Sequence, residues 1–108
     1  METIRVDHAS GGKGYILKKP LLNEQQLNGK CRLYAEVTIP PDCSLGYHEH
    51  HGESETYYIL SGTGEYDDNG TKRTVTTGDV TFTPDNFGHG IVNIGTDNLV
   101  FMALIIVD

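Results

Sequence analysis

Basic residues are scarce: Lys and Arg number 8 against 15 Asp and Glu, for a formal net charge of −7. Such a surface repels phosphate backbones and anionic lipid, so neither a nucleic-acid nor a membrane partner is expected. Long apolar runs are missing too. The longest, Leu99–Val107, is half the roughly 18 residues that a membrane-spanning helix needs. Met1-Glu2-Thr3-Ile4-Arg5-Val6 lacks the basic-then-apolar layout of a signal peptide. Cysteine is limited to Cys31 and Cys43, whose spacing is neither a C-x-x-C pair nor a disulfide framework. Two reduced thiols in a cytoplasmic protein are the expectation. No linker, internal repeat or low-complexity stretch divides the 108 residues, so a single domain over 1–108 is predicted.

Helix signals are thin as well. The one candidate lies near residues 20–28, Pro20 to Leu27, closed by Asn28-Gly29. Elsewhere the pattern alternates or is rich in β-branched and aromatic residues. Leu33, Ala35, Val37 and Ile39 alternate with polar or amphipathic residues until Pro40-Pro41 stops the strand. Thr56–Leu60 is a second strand. Gly64–Asp67 and Lys72–Thr76 flank Asn69-Gly70, a hairpin signal because both residues tolerate positive φ. Val80–Thr83 and Gly90–Ile94 follow, separated by a corner at Pro84-Asp85-Asn86-Phe87. Leu99–Val107 is apolar on both faces, so its outer face demands cover; a second copy of the chain is the expected cover. Gly11-Gly12-Lys13-Gly14 lacks the Lys-Ser/Thr pair and helix of a phosphate loop and reads as a flexible turn. The fold class predicted is all-β, an antiparallel sandwich or barrel.

Three of the 5 histidines lie together at His48, His50 and His51. In a strand, residues i and i+2 share a face about 6.5–7 Å apart, so His48 and His50 can lean toward one ion while His51 points away. Glu55 opens a strand whose face includes Tyr57 and Ile59. His89 opens another, with Ile91 and Asn93 on its side of the pleat. Spacing alone leaves two readings open, a divalent-metal site and a polar strand end.

The longer pattern is more specific. Asp42 through Gly62, containing His48-Glu49-His50 and Glu55, resembles the first cupin motif, G-(x)5-H-x-H-(x)3,4-E-(x)6-G. Gly78 through Asn93, containing Pro84 and His89, resembles the second, G-(x)5-P-x-G-(x)2-H-(x)3-N. Two positions depart: Asp42 and Asn86 stand where the motifs have Gly, and both residue types tolerate left-handed backbone. The stretch from Pro40 to Gly62 is also similar to small oxalate-decarboxylase-like cupins.

The resemblance implies a jelly-roll barrel with one divalent metal held by His48, His50, Glu55 and His89, and pairing through outer sheets into a homodimer. Three neutral imidazoles and one carboxylate suit Mn, Fe, Ni, Co, Cu or Zn, and a six-coordinate ion would keep two positions open. Tyr57, Ile59 and Ile91 are expected to line the lumen and contact a small-molecule ligand, anionic or enolisable. Glu53 reads as a solvated turn residue that could otherwise serve as acid or base, Arg32 and Tyr34 as surface residues, and Asn93 as a turn-fixing residue. No catalytic residue is assigned. The leading expectation is a metal-dependent enzyme for dioxygenation, decarboxylation or isomerisation of a small metabolite. The alternatives are a non-catalytic binding or sensor module and a cupin whose metal is purely structural.

Overall fold

The computed structural model describes residues 2–108, and strands dominate it. In chain order they are β1 (Ile4–Asp7), β2 (Tyr15–Pro20), β3 (Cys31–Ile39), β4 (Ser44–Glu49), β5 (Glu53–Ser61), β6 (Thr63–Asp68), β7 (Thr71–Thr76), β8 (Val80–Thr83), β9 (Gly88–Asn93) and β10 (Leu99–Val107). All pairings are antiparallel. A six-stranded sheet runs β1-β2-β3-β10-β5-β8 and a four-stranded sheet β4-β9-β6-β7. The predicted all-β sandwich is the observed fold.

Strand β10 occupies the centre of the larger sheet because both of its neighbours can pair along most of its length. Leu99, Phe101 and Ala103 point inward and are buried; Val100, Met102 and Leu104 point to the outer face. Ile16, Val37, Ile39, Tyr57 and Ile59 join them from the larger sheet, and Tyr66, Val75 and Ile91 from the smaller, so the core lies between the two. Burial of each large side chain contributes roughly 1.5–3 kcal/mol.

The hairpin β6–β7 turns on Asn69 (φ 50) and Gly70 (φ 101), both left-handed, as the Asn-Gly signal requires. Asp42 (φ 65) and Asn86 (φ 68) also take left-handed backbone, so the two non-glycine motif positions keep the turns that glycine would make. Asn93 fixes a turn: its Nδ2 donates to the carbonyls of Ile39 and Asp97, each at 2.8 Å, and its Oδ1 accepts from Gly95 N at 2.9 Å.

Three expectations need correction. The helix α1 covers only Glu24–Leu27, because the Asn23 side chain caps it and Gln26 reaches back to Asn23 N; Pro20 instead ends β2. Strand β5 begins at Glu53, three residues early, because β10 pairs with it down to Val107↔Glu53. The Gly11–Gly14 stretch is not a free turn. Gly12 is buried and lies backbone to backbone against Gly46 of β4. Among the described residues no helix is long and apolar enough to cross a membrane.

A Cβ at Gly46 would collide with the Ser10 carbonyl oxygen. Gly46→Ala is expected to cost about 1–3 kcal/mol in urea denaturation. A wild-type midpoint would show that this close approach is not maintained in solution.

Candidate metal centre

Two sheets contribute to one cluster. His48 comes from β4 and His89 from β9 of the smaller sheet, and His50 follows the end of β4; Glu55 reaches across from β5 of the larger sheet. His48 and His89 are cross-strand partners in the β4–β9 ladder. The ladder slips between Leu45 and His48, and the irregularity leaves the Gly46 carbonyl free to accept from His48 Nδ1 at 2.8 Å.

The inner atoms of the cluster are close. His50 Nε2 lies 3.0 Å from His89 Nε2, and His89 Nε2 lies 3.1 Å from His48 Nε2. Glu55 Oε1 stands 2.8 Å from His89 Nε2, 2.9 Å from His50 Nε2 and 3.7 Å from His48 Nε2. The outer ring nitrogens are already engaged. His48 Nδ1 faces a carbonyl and His50 Nδ1 faces Glu53 Oε2 at 2.5 Å, and these partners only accept. His89 Nδ1 lies 2.7 Å from the Tyr66 hydroxyl and 2.9 Å from the Thr83 hydroxyl, which can accept the same proton.

Neutral rings held this way set bare Nε2 lone pairs against each other and against a carboxylate oxygen. Only a proton or a cation between them relieves that repulsion. One proton bridges one pair at a time, whereas a cation serves all four donors together. Four donor separations are 2.8–3.1 Å and that between His48 Nε2 and Glu55 Oε1 is 3.7 Å, all within what one cation with bonds of about 2.1 Å would span. The mixed nitrogen and oxygen donor set therefore fits a divalent transition metal.

Burial alone would raise the Glu55 pKa, but protons that His48, His50 and His89 carry on the nitrogens facing it outweigh burial and hold the carboxyl well below the usual carboxylate range, so the carboxylate is the form that would meet a proton or a cation here. Burial lowers His89, favouring the neutral ring against the pull of Glu55. His89 is completely enclosed, whereas the His48 side chain keeps 23% exposure, so the cluster opens on the His48 side. A cavity of about 280 Å³ adjoins it there, walled by His48, His50, Glu55 and Tyr57 and by aliphatic residues such as Leu33, Val37 and Ile105. Tyr57 stacks on the His89 ring with centroids 4.8 Å apart.

Comparison with known proteins agrees with this geometry. A profile of the cupin domain matches residues 35–107. The chain belongs to the cupin family. Its relatives include an oxalate-binding protein of Thermotoga maritima, 42% identical over 102 residues that cover 94% of this chain and 84% of that protein. An uncharacterized protein of Methanocaldococcus jannaschii is 33% identical over 77% of this chain and 70% of its own length. Among solved structures, a Thermotoga maritima protein described as a predicted oxalate decarboxylase superposes with a TM-score of 0.97 at 40% identity, covering all of this chain and 94% of that one.

Within this cupin, the residues that sequence reasoning singled out divide by depth. His48, His50, Glu55 and Tyr57 line the cavity, and His89 joins the cluster from behind them, fully enclosed. Ile59 and Ile91 do not line it. They face inward as their parity requires, but each lies two residues farther along its strand and is packed into the core, Ile91 against Gly64. His51 points away, its Nδ1 3.0 Å from Asn86 Oδ1. Glu53 corrects a second expectation. Pairing of β5 with β10 buries it behind His50, and its Oε1 lies 2.9 Å from Arg32 Nη1, so the exposed Arg32 ends on a buried carboxylate. The parity of Glu53 with Glu55 was the available signal. Tyr66 and Thr83, which hold His89, carried none, because their contacts depend on sheet packing.

Removing Glu53 frees His50 to turn. Glu53→Ala is expected to lower Mn(II) affinity about 10–100-fold in competition with a fluorescent chelator. Glu53→Gln, which can still accept the Nδ1 proton, is expected to lose less; equal losses would show that Glu53 does not aim the ring.

Proposed function

We propose that residues 1–108 form one cupin unit that holds a divalent transition metal through His48, His50, Glu55 and His89 and binds a small dicarboxylate beside it. The supporting observation is the convergence of three imidazole Nε2 atoms and one carboxylate oxygen at about one another's contact distance, with the outer nitrogens committed elsewhere. Bound there, the ion would act as a Lewis acid and template for ligand oxygens.

The chain's own residues do the rest. His48 leaves the open side of the cluster toward the cavity, Tyr57 forms a wall beside it, and aliphatic side chains make up much of the remaining lining. An apolar pocket with a net charge of about +1 at one end favours an anion over a neutral ligand. The Thermotoga relative named for oxalate binding makes oxalate the first ligand to try. Binding is favoured over turnover because Glu53, the carboxylate that could have moved a proton, is held between His50 and Arg32 outside the cavity. The free thiols of Cys31 and Cys43 are consistent with a cytoplasmic setting.

A second copy of the chain is the proposed cover for the outer face of the larger sheet. Met102 stands opposite Tyr58, and Tyr58 opposite Val80, with Phe82 alongside; Val80 and Phe82 are 60% and 58% exposed. This row is continuous with Val100, Leu104 and Ile106 on β10.

Calorimetric titration with oxalate is expected to give heat from Mn(II)-loaded protein and none after chelation or in His89→Ala. Equal binding without metal would contradict the proposal. Light scattering at micromolar concentration is expected to give about twice the 11.9 kDa chain mass; a stable monomer would reject the pairing.

A further inference from the structure

One cationic side chain stands on the cavity wall outside the His–Glu cluster. Lys18 lines the cavity together with His48, His50 and Glu55. Strand β2 turns Ile16 and Lys18 to the same face, and Ile16 is 2% exposed. In the ladders Lys18 stands between Val37 of β3, which is 3% exposed, and Ile4 of β1, which is open to solvent. The residue thus sits where buried wall meets solvent, with its apolar stem on the wall and its charge at the boundary. Among the described residues no carboxylate pairs with it, as none pairs with Lys13, Lys19 or Lys30, but of these four lysines Lys18 alone lines the cavity. The adjacent Lys19 lies on the opposite face and is exposed.

We propose that Lys18 binds the outward-facing carboxylate of the ligand and so makes the site select dicarboxylates over monocarboxylates. The inference rests on the metal and dicarboxylate reading above and deepens it. With a divalent ion, three neutral imidazoles and the Glu55 carboxylate the cluster carries about +1, and Lys18 brings the cavity to about +2. A dicarboxylate neutralises that charge. A monocarboxylate held at the ion has no second carboxylate to offer the Lys18 ammonium and so gains nothing from it. The ammonium's three donors suit the oxygens of a carboxylate that the ion does not engage.

The test compares wild type, Lys18→Met, Lys18→Gln, Lys18→Arg and Lys19→Met, each loaded with Mn(II) and with its metal content measured first. Each is titrated with oxalate, malonate and acetate by calorimetry at fixed ionic strength. Two neutral Lys18 variants are used so that misfolding of one leaves the other. Metal content is expected to be equal throughout. Both neutral variants are expected to lose about tenfold in oxalate and malonate affinity, as loss of a hydrogen bond to a charged group implies. Acetate affinity is expected to change little, with Lys18→Arg and Lys19→Met close to wild type. Undiminished dicarboxylate binding in the neutral Lys18 variants, an equal loss for acetate, or an equal loss in Lys19→Met would overturn the inference and leave the dicarboxylate reading standing. Metal-loaded wild type that takes up neither oxalate nor malonate would overturn that reading and this inference with it.

Discussion

Three imidazole nitrogens and a carboxylate oxygen facing one another at about hydrogen-bond distance are the constraint on which the rest of the structure depends. Left to themselves, neutral rings in this arrangement repel, and the protein spends several contacts holding them there. The Gly46 carbonyl, the Glu53 carboxylate and the Tyr66–Thr83 hydroxyl pair each take the outer nitrogen of one histidine. Each contact fixes a ring's orientation and turns its other nitrogen inward. The cluster is therefore preorganised from outside, by groups that do not touch its centre.

The fold makes such convergence possible because the site straddles the space between two sheets. Histidines from β4 and β9 come from one sheet and Glu55 from the other, so closing the sandwich and assembling the cluster are the same event. Details that look purely structural serve this placement. The slip in the β4–β9 ladder frees one carbonyl, and the contact of Gly12 with Gly46 holds the N-terminal turn against the same strand. Pairing of β5 with β10 buries Glu53 behind His50. The cavity then opens on the one side where His48 is not enclosed.

Sequence reasoning reached the parts of this arrangement that local periodicity and motif spacing encode. The alternation in β3, the Asn-Gly hairpin and the two-faced β10 were legible because each depends on residues close in the chain. The four residues gathered at the cluster were legible through two motifs, even though Asp42 and Asn86 replace glycines, because both still adopt the turns those positions need. Depth was not legible. Parity places Ile59 and Ile91 on the inner face, but how far along a strand the cavity extends depends on sheet packing, and both fall in the solid core. Glu53 read as a turn residue because the strand signal starts at Thr56, when the partner strand β10 decides where β5 starts. Lys18 and Tyr66 reach the site only through non-local pairing, to which single-sequence patterns are blind.

The most direct test of the central claim is anomalous diffraction from crystals grown with Mn(II), using data collected near the manganese edge. The account predicts one strong anomalous peak per chain, about 2.1–2.2 Å from the Nε2 atoms of His48, His50 and His89 and from Glu55 Oε1. No peak at that point, or a peak coordinated by other residues while these four keep their positions, would contradict it.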